Sequence, residues 1–223
     1  MTTYPSASIF GTETRTIGSR HVNQEYRISI AFPRSYRSEP QKTYPVIYVT
    51  DAYWEFGVAT GLTRNMALCG RFPETIVVGI GYPFDEPFDN AFQQIVALRT
   101  RDLTPVVDRN TEEYWEKYLK MDHVQTGGAK QFLQFIKSEL IPMIESEFRV
   151  SPTDRVLAGH SYGGLFVLYA LFHQPRLFNG YVAGSPSLGY GDKVTFEHES
   201  QFASTHKSLP VKLYICAGGW KRR

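Results

Sequence analysis

The sequence predicts an α/β protein with a doubly wound, mostly parallel sheet, on three observations. Short, continuous, β-branched runs recur along the chain. Segments with helical apolar spacing separate them. A serine flanked by glycines sits where one such run meets one such helix.

Ser8–Ile17 and Glu25–Phe32 are the first two strands. In the second, Tyr26, Ile28, Ile30 and Phe32 alternate with Arg27, Ser29 and Ala31, the period of a half-buried strand, and Pro33 ends it. Pro45–Thr50 (PVIYVT) and Thr75–Ile80 (TIVVGI) are apolar throughout, as strands buried on both faces of a parallel sheet are. Asp154–Gly159, Gly180–Gly184 and Val211–Ala217 complete the set. In Lys130–Phe148 the apolar positions Phe132, Phe135, Ile136, Leu140, Met143, Ile144 and Phe148 draw one helical stripe, and Pro142 is expected to kink it. Gly163–His173 is apolar on nearly every face and reads as a buried helix. The aromatic- and charge-rich segment 84–126 fits the alternation poorly and reads as a lid-like insertion within a single domain, 1–223.

Composition narrows the function. With 223 residues, 42% of them hydrophobic, the chain can bury a sizeable core. Lys and Arg number 24 against 22 Asp and Glu, so there is no electrostatic case for nucleic acid. No apolar stretch reaches the length of a membrane span, and Met1 to Arg20 lacks the pattern of a signal peptide, so a cytoplasmic protein is the default. Cys69 and Cys216 show no metal-ligand spacing, so no metal is expected, and both read as small buried hydrophobes.

The chemistry concentrates at Gly159-His160-Ser161-Tyr162-Gly163, a GxSxG pattern. The pattern alone is weak, but here a buried strand precedes it and a buried helix follows, the setting that a nucleophile elbow requires. Such a turn holds the serine at strained angles with its hydroxyl raised above the sheet, and the Tyr162 N–H is directed at the place where an oxyanion forms. The pattern is not a nucleotide loop, since neither GxxxxGK[ST] nor GxGxxG occurs, and no cofactor is implied.

With these features in order, the chain resembles the putative esterase family of α/β-hydrolases, the group of esterase D, the siderophore esterases and the mycolyltransferases, and is most similar to its siderophore-esterase-like members. The residues that carry the resemblance are 44–51 (YPVIYVTD), 78–83 (VGIGYP), 99–105 (RTRDLTP), 158–164 (AGHSYGG) and 184–187 (GSPS). It implies an α/β-hydrolase fold and a serine hydrolase that forms an acyl-enzyme on Ser161, with a siderophore-like or other small ester as substrate. The second oxyanion donor it implies is the backbone N–H of Tyr53. Asp51, at the end of a buried strand, reads either as part of this site or as a helix cap. Arg99 and Arg101, with Trp54, are candidate substrate-binding residues for an anionic ester such as a catecholate or a carboxylate. The alternative for the arginines is structural pairing with Asp102, and for Trp54, Tyr114 and Trp115 it is packing.

The resemblance also raises an expectation about the base. In that family an acid in a Gly-Gly-x-Glu-like turn follows the strand matching Val211–Ala217, then a further strand, a helix and the catalytic histidine. This sequence reads Gly218-Gly219-Trp220-Lys221-Arg222-Arg223 there, so the last strand and helix, the acid and the histidine are expected to be missing. His173, His198 and His206 each read as structural or solvated, and His160, beside the nucleophile, is expected to point away from its hydroxyl. Strand 211–217 would then form an exposed edge on which a homo-oligomer can pair. Two alternatives to hydrolysis stand: a catalytically impaired binding protein of the same fold, from the missing acid and histidine, and an acyltransferase, implied by the members of the group that transfer acyl chains.

Overall fold

The computed structural model describes residues 8–84 and 88–218, and side chains are not described at 88–90. Among these residues seven strands form one sheet: β1 (Thr12–Ser19), β2 (Gln24–Ala31), β3 (Tyr44–Val49), β4 (Ile76–Gly81), β5 (Val150–His160), β6 (Gly180–Gly184) and β7 (Lys212–Cys216). Their order is β1-β2-β4-β3-β5-β6-β7. β2 runs antiparallel to β1 and β4, and all pairings from β4 to β7 are parallel. This is the mostly parallel α/β sheet of the expected fold class.

Among the described residues seven α-helices connect the strands: α1 (Ala52–Leu68), α2 (Phe88–Leu103), α3 (Arg109–Leu119), α4 (Ala129–Phe135), α5 (Ile141–Glu147), α6 (Tyr162–His173) and α7 (Val194–Thr205). β4 is buried at every residue, and β3 alternates between buried and partly buried, in keeping with their continuous apolar sequences. α6 is buried along most of its length, as its all-round apolar sequence requires. The core on its side of the sheet joins Tyr26, Tyr48 and Leu157 to Phe132, Phe135 and Phe166.

In place of the expected kink at Pro142, the structure shows a widened turn. α4 passes through a five-residue π-helical turn, Ile136–Leu140, before α5 begins. The Ile141 N–H donates to the Ile136 carbonyl, five residues back. The widened turn lets the helix continue past a residue that has no N–H to give.

Segment 84–126 holds all of α2 and α3. The end of α2 is buried, with Thr100, Asp102 and Thr104 fully enclosed and Leu103 in the main core. The expectation for the cysteines is corrected: Cys69 and Cys216 are both exposed, free thiols. Cys69 caps the solvent end of α1, and Cys216 lies on β7, the outermost strand. Apolar sequence neighbours do not bury a residue on an uncovered strand.

Candidate active site

The carboxyl ends of β3, β5 and β6 lie side by side and deliver three loops to one edge of the sheet. The loop after β5 is Ser161 alone. Its φ of 57° and ψ of −117° fall outside the ordinary regions, so a non-glycine residue is held in strain between strand and helix. Three backbone bonds fix it: its N–H donates to the Gly184 carbonyl at 2.9 Å, and its carbonyl accepts from the N–H groups of Leu165 at 3.0 Å and Ser187 at 3.2 Å.

The flanking glycines are required by space. A Cβ at Gly159 would stand 2.5 Å from the carbonyl carbon and oxygen of Gly163. One at Gly163 would collide with the Thr50 hydroxyl and come within 3.3 Å of the Asp51 carboxylate. One at Gly164 would lie 2.8 Å from the Gly184 carbonyl oxygen. These contacts also show how closely the turn after β5 packs on the end of β3.

Tyr53 and Tyr162 each occupy the first turn of a helix, α1 and α6, that starts at this edge. N-terminal N–H groups and helix dipoles make both ends favourable for negative charge. Asp51 is the N-cap of α1 with φ 55°, a left-handed conformation that Asp tolerates. Its side chain makes no capping bond. It instead accepts two 2.8 Å bonds, from Nε and Nη2 of Arg99 on α2. Both partners are nearly enclosed, with side-chain exposures of 5% and 12%. The Arg99 guanidinium lies 5.6 Å from the ring centre of Trp54 and 5.3 Å from that of Tyr162. Burial opposes its charge, but the bonds and charge of Asp51 outweigh burial and hold its pKa above the usual arginine value.

Arg101 points elsewhere. Its Nε donates to Asp102 at 2.7 Å, and the same carboxylate accepts from Tyr26 at 2.7 Å and Tyr82 at 3.0 Å. Burial raises the pKa of Asp102 and those of both tyrosines. Arg101 borders a cavity with His21, Glu112 and His123. Trp54 borders a different, smaller cavity, of about 200 Å³, with Arg27, Asp51, Tyr53 and Tyr82. Trp115 donates to the Tyr162 hydroxyl at 3.3 Å, while Tyr114 is exposed on α3.

Sequence reasoning gave no role to Ser187. Its hydroxyl is 3.5 Å from that of Ser161, at the limit of a hydrogen bond. The signal was its place three residues after the end of β6, the strand beside the elbow. Among the described residues no histidine hydrogen-bonds Ser161. His173 ends α6 and bonds the Tyr169 carbonyl, His198 packs edge-on against His173, and His206 caps α7. The expected acid position, Lys221, lies outside the described residues. No group of three or more His, Cys, Asp or Glu among the described residues is arranged to hold a metal ion.

Comparison with known proteins bears on this geometry. The family described as "Putative esterase" matches residues 19–121 and 92–209. The chain is 34% identical over 219 residues to the ferri-bacillibactin esterase BesA of Bacillus subtilis, covering 95% of this chain and 71% of BesA. It is 30% identical to a siderophore triacetylfusarinine C esterase of Aspergillus fumigatus, covering 89% of this chain and 65% of that protein. Among solved structures, the BES protein from Bacillus cereus superposes with a TM-score of 0.78 at 28% identity, over 100% of this chain and 80% of that one.

Proposed function

The chain belongs to the putative esterase family of α/β-hydrolases, and from that premise we propose a serine ester hydrolase that works through a Ser161 acyl-enzyme on a siderophore-like or other small ester. The observation that carries the reading is the strained Ser161 between β5 and α6, at the sheet edge shared with the start of α1.

The chemistry follows from that placement. The Ser161 Oγ attacks the ester carbonyl carbon, an Oγ–C bond forms, and the carbonyl electron pair moves onto oxygen. The N–H groups of Tyr53 and Tyr162 receive this oxyanion. Collapse breaks the bond to the alcohol oxygen, which leaves with a proton. Water then attacks the acyl-enzyme and releases the acid. Trp54 supplies an aromatic wall. Nη1 of Arg99, the guanidinium nitrogen not engaged by Asp51, is the cationic group for an anionic substrate at this edge, while Arg101, paired with Asp102, borders a separate cavity. β7 supports association of copies through its exposed edge.

One observation favours a second reading, a catalytically impaired protein of the same fold: no described histidine bonds Ser161. In a well-studied triad, losing the base costs about 10⁶-fold in rate. Mass spectrometry after fluorophosphonate treatment, paired with aryl-ester turnover, separates the readings. The hydrolase gives labelling at Ser161 and turnover that Ser161→Ala abolishes. Labelling without turnover supports the impaired protein. Absence of labelling at Ser161 overturns the nucleophile assignment. A product shift when an acceptor alcohol is added would identify an acyltransferase.

A further inference from the structure

We propose that Asp51 and Arg99 form a clamp that assembles and protects the oxyanion site, and that Asp51 is a positioning residue for the reaction assigned to Ser161, on which reading this inference rests.

Two features support it. The first is where the pair is anchored. Asp51 immediately precedes α1, whose first turn holds Tyr53, and the Arg99 guanidinium lies within cation–π reach of both the Trp54 and the Tyr162 ring, at 5.6 and 5.3 Å. The two segments that offer oxyanion donors are 109 positions apart in the sequence, and this guanidinium touches both. A bidentate fork fixes angle as well as distance, which a single point charge does not.

The second is what the carboxylate does not do. An N-cap Asp ordinarily turns its side chain onto the first N–H groups of its own helix. Asp51 is an N-cap, yet makes no such bond, because both its oxygens are drawn to Arg99. A carboxylate turned onto the start of α1 would compete with the oxyanion for the same N–H groups and oppose its charge. Arg99 therefore does two things: it ties α2 to the elbow, and it keeps a negative charge away from the place where another must form.

This double role gives an uncommon order of effects. Arg99→Met releases a buried carboxylate beside the oxyanion site, while Asp51→Asn removes that charge. The double variant removes both partners and should be less impaired than Arg99→Met alone. The probe is a fluorophosphonate: the Ser161 Oγ–P bond forms, the P–F bond breaks, fluoride leaves, and the hydroxyl proton passes to water. Its inactivation rate constant, kinact, reports oxyanion stabilisation, and KI reports binding. Expected are a fall in kinact of about 100-fold for Arg99→Met, the scale on which loss of an oxyanion donor is felt, and a smaller one, about 10-fold, for Asp51→Asn. The double variant should recover toward Asp51→Asn, with KI little changed throughout. Arg99→Lys, which keeps the charge and loses the fork, should also lower kinact. Glu74→Gln breaks an unrelated network with Ser35 and Lys42 at the opposite edge of the sheet and should leave kinact alone.

A change in KI with kinact unchanged would leave Arg99 a substrate contact and nothing more, and overturn the clamp. So would a double variant as slow as Arg99→Met, or an equal fall in Glu74→Gln. If Arg99→Met does not fold, an unchanged kinact in Arg99→Lys overturns it as well. Failure of the unmodified protein to label at Ser161 removes the nucleophile and the clamp together, and is thereby distinguished from failure of the clamp alone.

Discussion

At the scale of the residue, the site is built from positions where only one side chain fits. Gly159 and Gly163 face backbone and the Thr50 hydroxyl at distances that no Cβ tolerates, so Gly159→Ala must displace the elbow. Gly61 differs: it lies on the exposed face of α1, has nothing within 4 Å, and is in the middle of a helix. Alanine there removes backbone freedom from the unfolded chain and should stabilise by about 0.5–1 kcal/mol. Gly159→Ala should destabilise by about 1–3 kcal/mol, the usual range for overpacking. Thermal melts of the two variants should move in opposite directions, and a matching shift would show that the elbow has room to relax. These roles were only partly legible in the sequence. GxSxG between a strand and a helix announced Ser161 and the need for small flanks. The Asp51–Arg99 pair was not announced, because its members are 48 positions apart and each has an ordinary local explanation, a cap for one and a pair with Asp102 for the other.

At the scale of the element, the packing of α6 against α7 makes stability depend on pH. His173 stacks on Tyr169 with ring centres 4.0 Å apart, and His198 from α7 meets His173 edge-on at 4.6 Å. Burial first, and then the neighbouring His173, lower the pKa of His198, while Glu197 acts weakly the other way. The folded state therefore binds the His198 proton less readily than the unfolded chain does. Its contribution to stability is present above the unfolded value of about 6.5 and is lost as pH falls through the lower, folded value. The melting temperature should drop between pH 7.5 and 5.5, and His198→Phe should flatten that slope; an unchanged slope would assign it to other groups. Element boundaries were legible where one pattern ran unbroken. Gly180–Gly184 matches its strand at both ends, and Pro45–Thr50 is offset by a single residue. The π-helical turn before Pro142 was not legible, since a missing N–H can be met by a kink, a break or a widened turn, and packing chooses among them.

At the scale of the whole molecule, β7 is the strand whose sequence and surroundings disagree. Its residues, KLYIC, suit the interior of a parallel sheet, and parallel strands are ordinarily covered on both faces. Here every residue of β7 is exposed, with Leu213, Tyr214 and Ile215 at 40%, 62% and 50%. β6 pairs with one side of it, and no described strand pairs with the other. Open backbone donors and acceptors beside exposed apolar side chains form a template for another strand. Charge is the usual protection for such an edge, and β7 carries it only at Lys212, its first residue. In sedimentation velocity the 223-residue chain should associate with rising concentration. Lysine at both Tyr214 and Ile215 places charge on both faces of the strand and should shift the distribution to monomer. Because these side chains are exposed, the change should move stability by no more than about 0.5 kcal/mol, the range of ordinary surface substitutions. A chain that stays monomeric at every concentration, or a lysine variant that associates as before, would show that the exposed edge does not pair.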